Sequence, residues 1–236
     1  MSDANASTPR VFIARHGETE WAKNGRYTGR TDIELTPNGV NQVSSTAKQL
    51  VGHRRLLDPA TVARVWVSPR KRAQQTFQIL FGADSTGPDA IDSDKVTLTE
   101  DIAEWHYGDY EGLMTHEIKE LRKERGLDKD TPWNIWRDGC EGGESAQEVS
   151  DRLDNLISQI RDVQRPCMNG EANADVALVA HGHILRAFVK RWLGYPLDMP
   201  LEMMLEPGAI GILSYKNKNI NEPAFSVGLA LPPQEE

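Results

Sequence analysis

Two histidines in this chain end apolar runs of strand length, and a glycine follows each of them. His16 breaks off "VFIARHGET" and His181 breaks off "VALVAHGH". A neutral imidazole can act as a nucleophile, a proton carrier or a ligand. Glycine permits a tight turn and close approach of a ligand to the backbone. A lone histidine at a strand end is ordinarily structural. The repeated corner, with Arg15 beside the first copy, instead suggests a pocket that holds an anion against an imidazole. "SPRKRAQQT" adds Arg70, Lys71 and Arg72 in the first turns of a helix, where the backbone is already positive. An anion bound at that helix start would offset the cost; solvated surface charge is the plainer alternative. "EDIAEWHYGDYEG" brings a carboxyl among aromatics, where partial withdrawal from water suits a general acid. Glu104 is the leading choice, and Asp101, Asp109 and Glu111 compete with it.

These residues need a frame that makes them converge. Residues 10–15, "ARVWVS", "KVTLTEDIAEW", "DVALVA", "AIGILSY" and "AFSVGLA" read as strands. "LTPNGVNQVSSTAKQLVG" reads as a helix with Thr36 as N-cap and Pro37 in the first turn. Its inward face would carry Val40, Val43, Ala47, Leu50 and Val51. Ser68–Pro69 opens a second helix, with Ala73, Phe77 and Leu80 inward and Gly82 as its end. "THEIKELRKERG" and "HILRAFVKRWLG" are further helices. "SAQEVSDRLDNLISQIRDV" opens on a capping box, Ser145 with Glu148. "GADSTGPDAIDSDK" reads as a polar loop, and residues 127–144 as a long irregular connection.

Strands alternating with helices predict an α/β fold, a three-layer α/β/α sandwich with a mostly parallel central sheet. Ligands bind such sheets outside the carboxyl ends of the strands, where both His-Gly corners fall. Residues 9–230 read as a single domain between polar tails at 1–8 and 231–236.

The formal charge of −8 opposes a nucleic-acid or anionic-membrane partner but permits a small anionic ligand held by clustered arginines. Cys140 and Cys167 are too few for a disulfide framework. The first residues lack the apolar stretch of a signal peptide, and no run reaches membrane-spanning length. The expected compartment is the cytoplasm, with the nucleus open. The oligomeric state is not written in these patterns.

In this order, Arg15–His16–Gly17 in "RHGET", Arg72, Glu104 in "EWHYG" and His181–Gly182 resemble the histidine phosphatase superfamily, its phosphoglycerate mutase-like branch. The resemblance implies that His16 is the nucleophile and forms a phosphohistidine. It implies that Arg15, Arg72 and a protonated His181 hold the phosphoryl oxygens. Glu104 would protonate the leaving oxygen and later activate water. Thr28 and Gly29 would line the phosphate site, and Tyr107 and Gly182 would lie near the substrate. The orientation of His16 would be fixed by a hydrogen bond to the backbone near Gly17. No metal or other cofactor is implied. Ala22 stands where the mutases commonly carry asparagine, which counts against a mutase.

The stretch 104–145, above all "WNIWRDGCEGGE", resembles the fungal sedoheptulose 1,7-bisphosphatase branch. That resemblance implies hydrolysis of a phosphorylated sugar, with a sugar bisphosphate as the partner molecule. Arg137 would read the second phosphate, and Trp133 and Trp136 would either cap the substrate or anchor the long connection. The segment between Leu193 and Gly208 is shorter than in that branch. The competing readings are a phosphomutase, a non-catalytic phospholigand sensor, and a metal hydrolase that uses His181 and His183 as ligands.

Overall fold

The computed structural model describes residues 8–82 and 90–228. In chain order it contains β1 (Val11–Arg15), α1 (Glu20–Asn24), α2 (Pro37–Leu50), β2 (Val62–Val67) and α3 (Lys71–Phe81). Then come β3 (Val96–Leu98), α4 (Thr115–Glu124), α5 (Ile135–Asp138) and α6 (Ala146–Gln164). The last elements are β4 (Asp175–Ala180), α7 (Gly182–Trp192), β5 (Ile210–Tyr215) and β6 (Pro223–Phe225).

The strands form one six-stranded sheet in the order β3-β2-β4-β1-β5-β6. Neighbours from β3 to β1 run parallel, and β5 is antiparallel to both β1 and β6. Alternation along the strands sorts side chains into two apolar layers. Val11, Ile13, Trp66, Val176, Leu178 and Leu213 face α6, α7 and the 102–140 region. Phe12, Ala14, Val65, Val67, Ala177 and Val179 face α2 and α3. The sheet is thus covered on both sides, which gives the three-layer sandwich.

α6 buries Val149, Leu153, Leu156, Ile157 and Ile160 on one stripe. Each such side chain contributes roughly 1.5–3 kcal/mol on burial. The capping box closes as expected: Ser145 Oγ accepts from Glu148 N, and Ser145 N donates to the Glu148 carboxylate.

Register is what assembles the site. Arg15 pairs with Ala180, and Val67 pairs with Val179. The next residues along, His16, His181 and Ser68, therefore leave the sheet side by side. His16 N donates to Ala180 O at 2.9 Å, and Ser68 N to Val179 O at 3.0 Å.

Some elements differ from their sequence patterns. On α2, Val43 is buried but Val40 is 39 % exposed. Gly39 takes the inward position, where a Cβ would fall on the Glu18 backbone. β3 stops at Leu98, because Thr99 caps a 3-10 turn at Glu100–Ile102. α5 interrupts the connection read as irregular at 127–144, and α1 falls where no element was assigned. β6 ends at Phe225. Residues 1–7, 83–89 and 229–236, which include most of the expected tails and part of the polar loop, lie outside the described residues.

Candidate active site

His16 is 5 % exposed, and its Nδ1 donates to Gly17 O at 2.7 Å. That bond, expected from the sequence, leaves Nε2 as the nitrogen with a free lone pair. Burial first, then Arg72 and Arg15, lower its pKa to about 3 against the opposing pull of the Gly17 carbonyl. The imidazole is neutral.

His181 lies beside it, with ring centroids 5.0 Å apart. Arg72 Nε donates to His181 Nδ1 at 3.0 Å, so the ring proton sits on Nε2, 2.6 Å from Ser68 Oγ. Burial and the adjacent Arg72 hold the His181 pKa well below its ordinary value. The expected imidazolium is therefore corrected to a neutral ring.

Arg72 is fully buried and serves mainly as a brace. Besides His181, it donates to the carbonyl oxygens of Thr28, Gly29 and Thr31. The start of α3 is satisfied from another direction. Asp32 Oδ1 accepts from Lys71 N at 2.7 Å, and Arg70 pairs with Glu100. A protein carboxylate thus fills the place where an anion was expected at that helix start.

A cavity of about 160 Å³ opens in front of His16. Arg15, Thr28, Glu104, Tyr107 and Gly182 line it as well. Arg15 donates to Leu205 O at 2.7 Å, while its buried Nε has no hydrogen-bond partner. That orphaned donor beside an uncharged nucleophile fits an anion. Gly182 leaves room for the same guanidinium, since a Cβ there would stand 3.3 Å from Arg15 Cζ.

Glu104 sits at the N-terminus of α7. Its carboxylate accepts from Ile184 N at 2.8 Å, His183 N at 3.1 Å and Trp105 N at 3.0 Å. Its three competitors are committed elsewhere. Glu111 accepts from the 29–31 backbone, Asp109 pairs with Arg125, and Asp101 accepts from Asn155.

Tyr107 Oη and His183 Nδ1 share a hydrogen bond of 2.7 Å, and Tyr27 stacks on the His183 ring. Burial, reinforced by Glu104, raises the Tyr107 pKa well above the phenol range. Burial lowers the His183 pKa to about 3. With His183 bound to Tyr107 and both nitrogens of His181 engaged, the two do not form a metal pair. Among the described residues, no group of three or more His, Cys, Asp or Glu side chains is placed to hold a metal ion.

Other expected residues fall elsewhere. Arg137 is exposed and faces Asp138, with Nε 2.7 Å from its carboxylate, and a further donor goes to Pro132 O. It is absent from the cavity wall, because the short turn of α5 ties it to its neighbour. Gly29 also lies off the wall: its N–H is taken by Glu111, and a Cβ would strike Trp105 O. Gly17 needs its missing side chain for packing, since a Cβ would fall on the Gly39 carbonyl and 2.9 Å from Val43. Trp133 is an anchor, with its indole N–H bonded to Gly139 O.

Sequence reasoning missed Tyr27, Arg26 and Arg186 on the wall. The helical period from Gly182 could have found Arg186, which falls one turn along the same face. A larger, mostly apolar cavity of about 450 Å³ lies beyond Arg186 and shares no other residue with this one.

Fold and site together define an α/β protein with an arginine and a neutral imidazole facing one cavity at the carboxyl edge of its sheet. Residues 11–224 match the histidine phosphatase superfamily (branch 1), and the chain belongs to that superfamily. It is 38% identical to sedoheptulose 1,7-bisphosphatase of Saccharomyces cerevisiae, over 97% of this chain and 96% of that protein. It is 33% identical to an acid phosphatase of Mycobacterium tuberculosis, over 88% and 87% of the two chains. Among solved structures, the product of the M. tuberculosis open reading frame Rv3214 superposes with a TM-score of 0.71 at 30% identity. That match covers 94% of this chain and 97% of the other.

Proposed function

We propose that this protein is a metal-independent phosphatase that cleaves a phosphomonoester of a phosphorylated sugar through a phosphohistidine. Its preferred substrate is a sugar bisphosphate such as sedoheptulose 1,7-bisphosphate. The observation that carries the reading is the neutral His16, with Nδ1 tied to Gly17 O, sharing a cavity with Arg15 and Glu104.

The lone pair of His16 Nε2 attacks phosphorus, and the bond from phosphorus to the sugar oxygen breaks. The Glu104 carboxyl gives that oxygen its proton. Arg15 offers N–H donors to the equatorial oxygens, where charge builds. A water then attacks phosphorus, Glu104 takes a water proton, and the P–N bond breaks to restore Nε2 and release phosphate.

The sugar class rests on the similarity to the yeast bisphosphatase. The presence on the same wall of Arg186, which makes no ion pair among the described residues, supports a substrate with more than one anionic group, whereas Arg26 there pairs with Glu117. Ala22 lines the cavity with a methyl group where the mutases commonly carry asparagine, which favours hydrolysis over phosphate return.

The test measures inorganic phosphate from sugar mono- and bisphosphates with a chelator present, and traps acid-labile label on the protein by rapid quench. Phosphate release and label on wild type, with neither on His16→Ala, is the expected result. Isomer formation without net phosphate would show a mutase. A fully active His16→Ala would overturn the mechanism.

A further inference from the structure

Lys190, on α7, is 3 % exposed, an unusual place for an ammonium group. Its Nζ donates to Leu197 O at 2.7 Å and lies 4.2 Å from the centre of the Trp136 ring. No carboxylate pairs with it among the described residues. A buried ammonium outside an ion pair is costly, and a carbonyl, a ring face and the more distant Glu202 and Asp198 compensate only part of that cost.

Lys190 lines a cavity of about 150 Å³ together with Asn134, Trp136, Arg186 and residues 198–203. Arg186 lies one turn back on the same helix face. Its Nε donates to Gly182 O, it makes no ion pair among the described residues, and it lines the catalytic cavity too. Its side chain thus lines both cavities. Asp198 and Glu202 also border the second cavity and lie within electrostatic reach of Lys190, though neither forms an ion pair with Lys190 or Arg186 among the described residues. Arg137, the residue expected to read a second phosphate, is turned away and paired with Asp138.

We propose that Lys190, together with Arg186, forms a distal anion subsite. It receives the far phosphate of a bisphosphate whose near phosphate lies on His16. This rests on the sugar-phosphate reading above and deepens it. Along α7, Arg186 and Lys190 stand about 6 and about 12 Å beyond Gly182, a ladder that suits an extended substrate crossing from one cavity into the next. Trp136, between His183 and Lys190, forms the side wall of that path.

The test compares kcat/KM for fructose 1,6-bisphosphate and fructose 1-phosphate in wild type, Lys190→Met and Lys190→Arg. A melting temperature is recorded for each. In Lys190→Met the bisphosphate-to-monophosphate ratio should fall about ten- to hundredfold, through KM rather than kcat. Lys190→Arg should recover most of the ratio. A Lys190 that merely props the 195–198 turn would lower both substrates equally with the melting temperature, and that result overturns the proposal. So does an unchanged ratio in a wild type that prefers the bisphosphate. A wild type that cleaves aryl phosphate but no sugar phosphate would remove the sugar reading, and the subsite with it.

Discussion

Glu104 is held by the backbone of the helix it faces: three N–H groups converge on its two oxygens. Glu104→Gln keeps the size but turns an amide N–H₂ towards at least one of those donors, and removes the transferable proton. The rate on a sugar phosphate should fall by about 10² to 10⁴, and far less on an aryl phosphate whose leaving group needs no proton. Equal losses on both would sink the acid role. The two corner glycines separate site from scaffold. Gly182→Ala presses only on the flexible end of Arg15, so kcat/KM should fall about tenfold, near 1.4 kcal/mol, at nearly constant melting temperature. Gly17→Ala meets the backbone of Gly39 and should cost folding stability first. Chemical denaturation beside kinetics distinguishes the two, and a Gly17→Ala protein of normal stability would contradict the packing described.

At the scale of elements, the start of α3 decides where Arg72 points. Lys71 N is satisfied by Asp32, a residue from another part of the chain. Asp32→Ala should cost about 1 kcal/mol, the usual size of a lost helix cap, read from the urea midpoint. Activity should fall too, because Arg72 holds both His181 and the 28–31 backbone; full stability in that variant would show the cap to be idle. This contact also marks the limit of what sequence can reveal. The strands ending at His16 and His181 were legible because both are continuous apolar runs, and α6 because its capping box and apolar stripe are local. Arg72 was legible as a cation but not as a brace, since its partners are carbonyl oxygens with no side-chain signature. Arg137 misled because an exposed arginine finds the nearest carboxylate, here its chain neighbour Asp138. α1 could have been read from Thr19 as N-cap and Gly25 as a left-handed stop. Lys190 was hidden within an amphipathic helix end, where a lysine is ordinarily solvated.

Over the whole molecule, the apolar layers that position the site also force it to keep its imidazoles uncharged. His16 and His183 have their pKa values lowered from 6.5 to about 3 by burial, and His181 is lowered well below 6.5 by burial and Arg72. In the unfolded chain all three would take up protons near their ordinary value. Below about pH 6.5 the unfolded state therefore binds protons that the folded state refuses. Stability is fully present above that pH and is lost as pH falls towards the folded values. Each histidine adds a slope of up to about 1.4 kcal/mol per pH unit in that window. Urea midpoints should hold steady from pH 8 to 7, then drop steeply from pH 6 to 5. His183→Phe should remove one histidine's share of the slope even where it lowers the midpoint at pH 7, because the slope counts protons and the midpoint also counts packing. A wild-type stability that stays flat down to pH 5 would mean that these rings are charged or open to water in the folded protein. The neutral His16 on which the chemistry depends would then be lost.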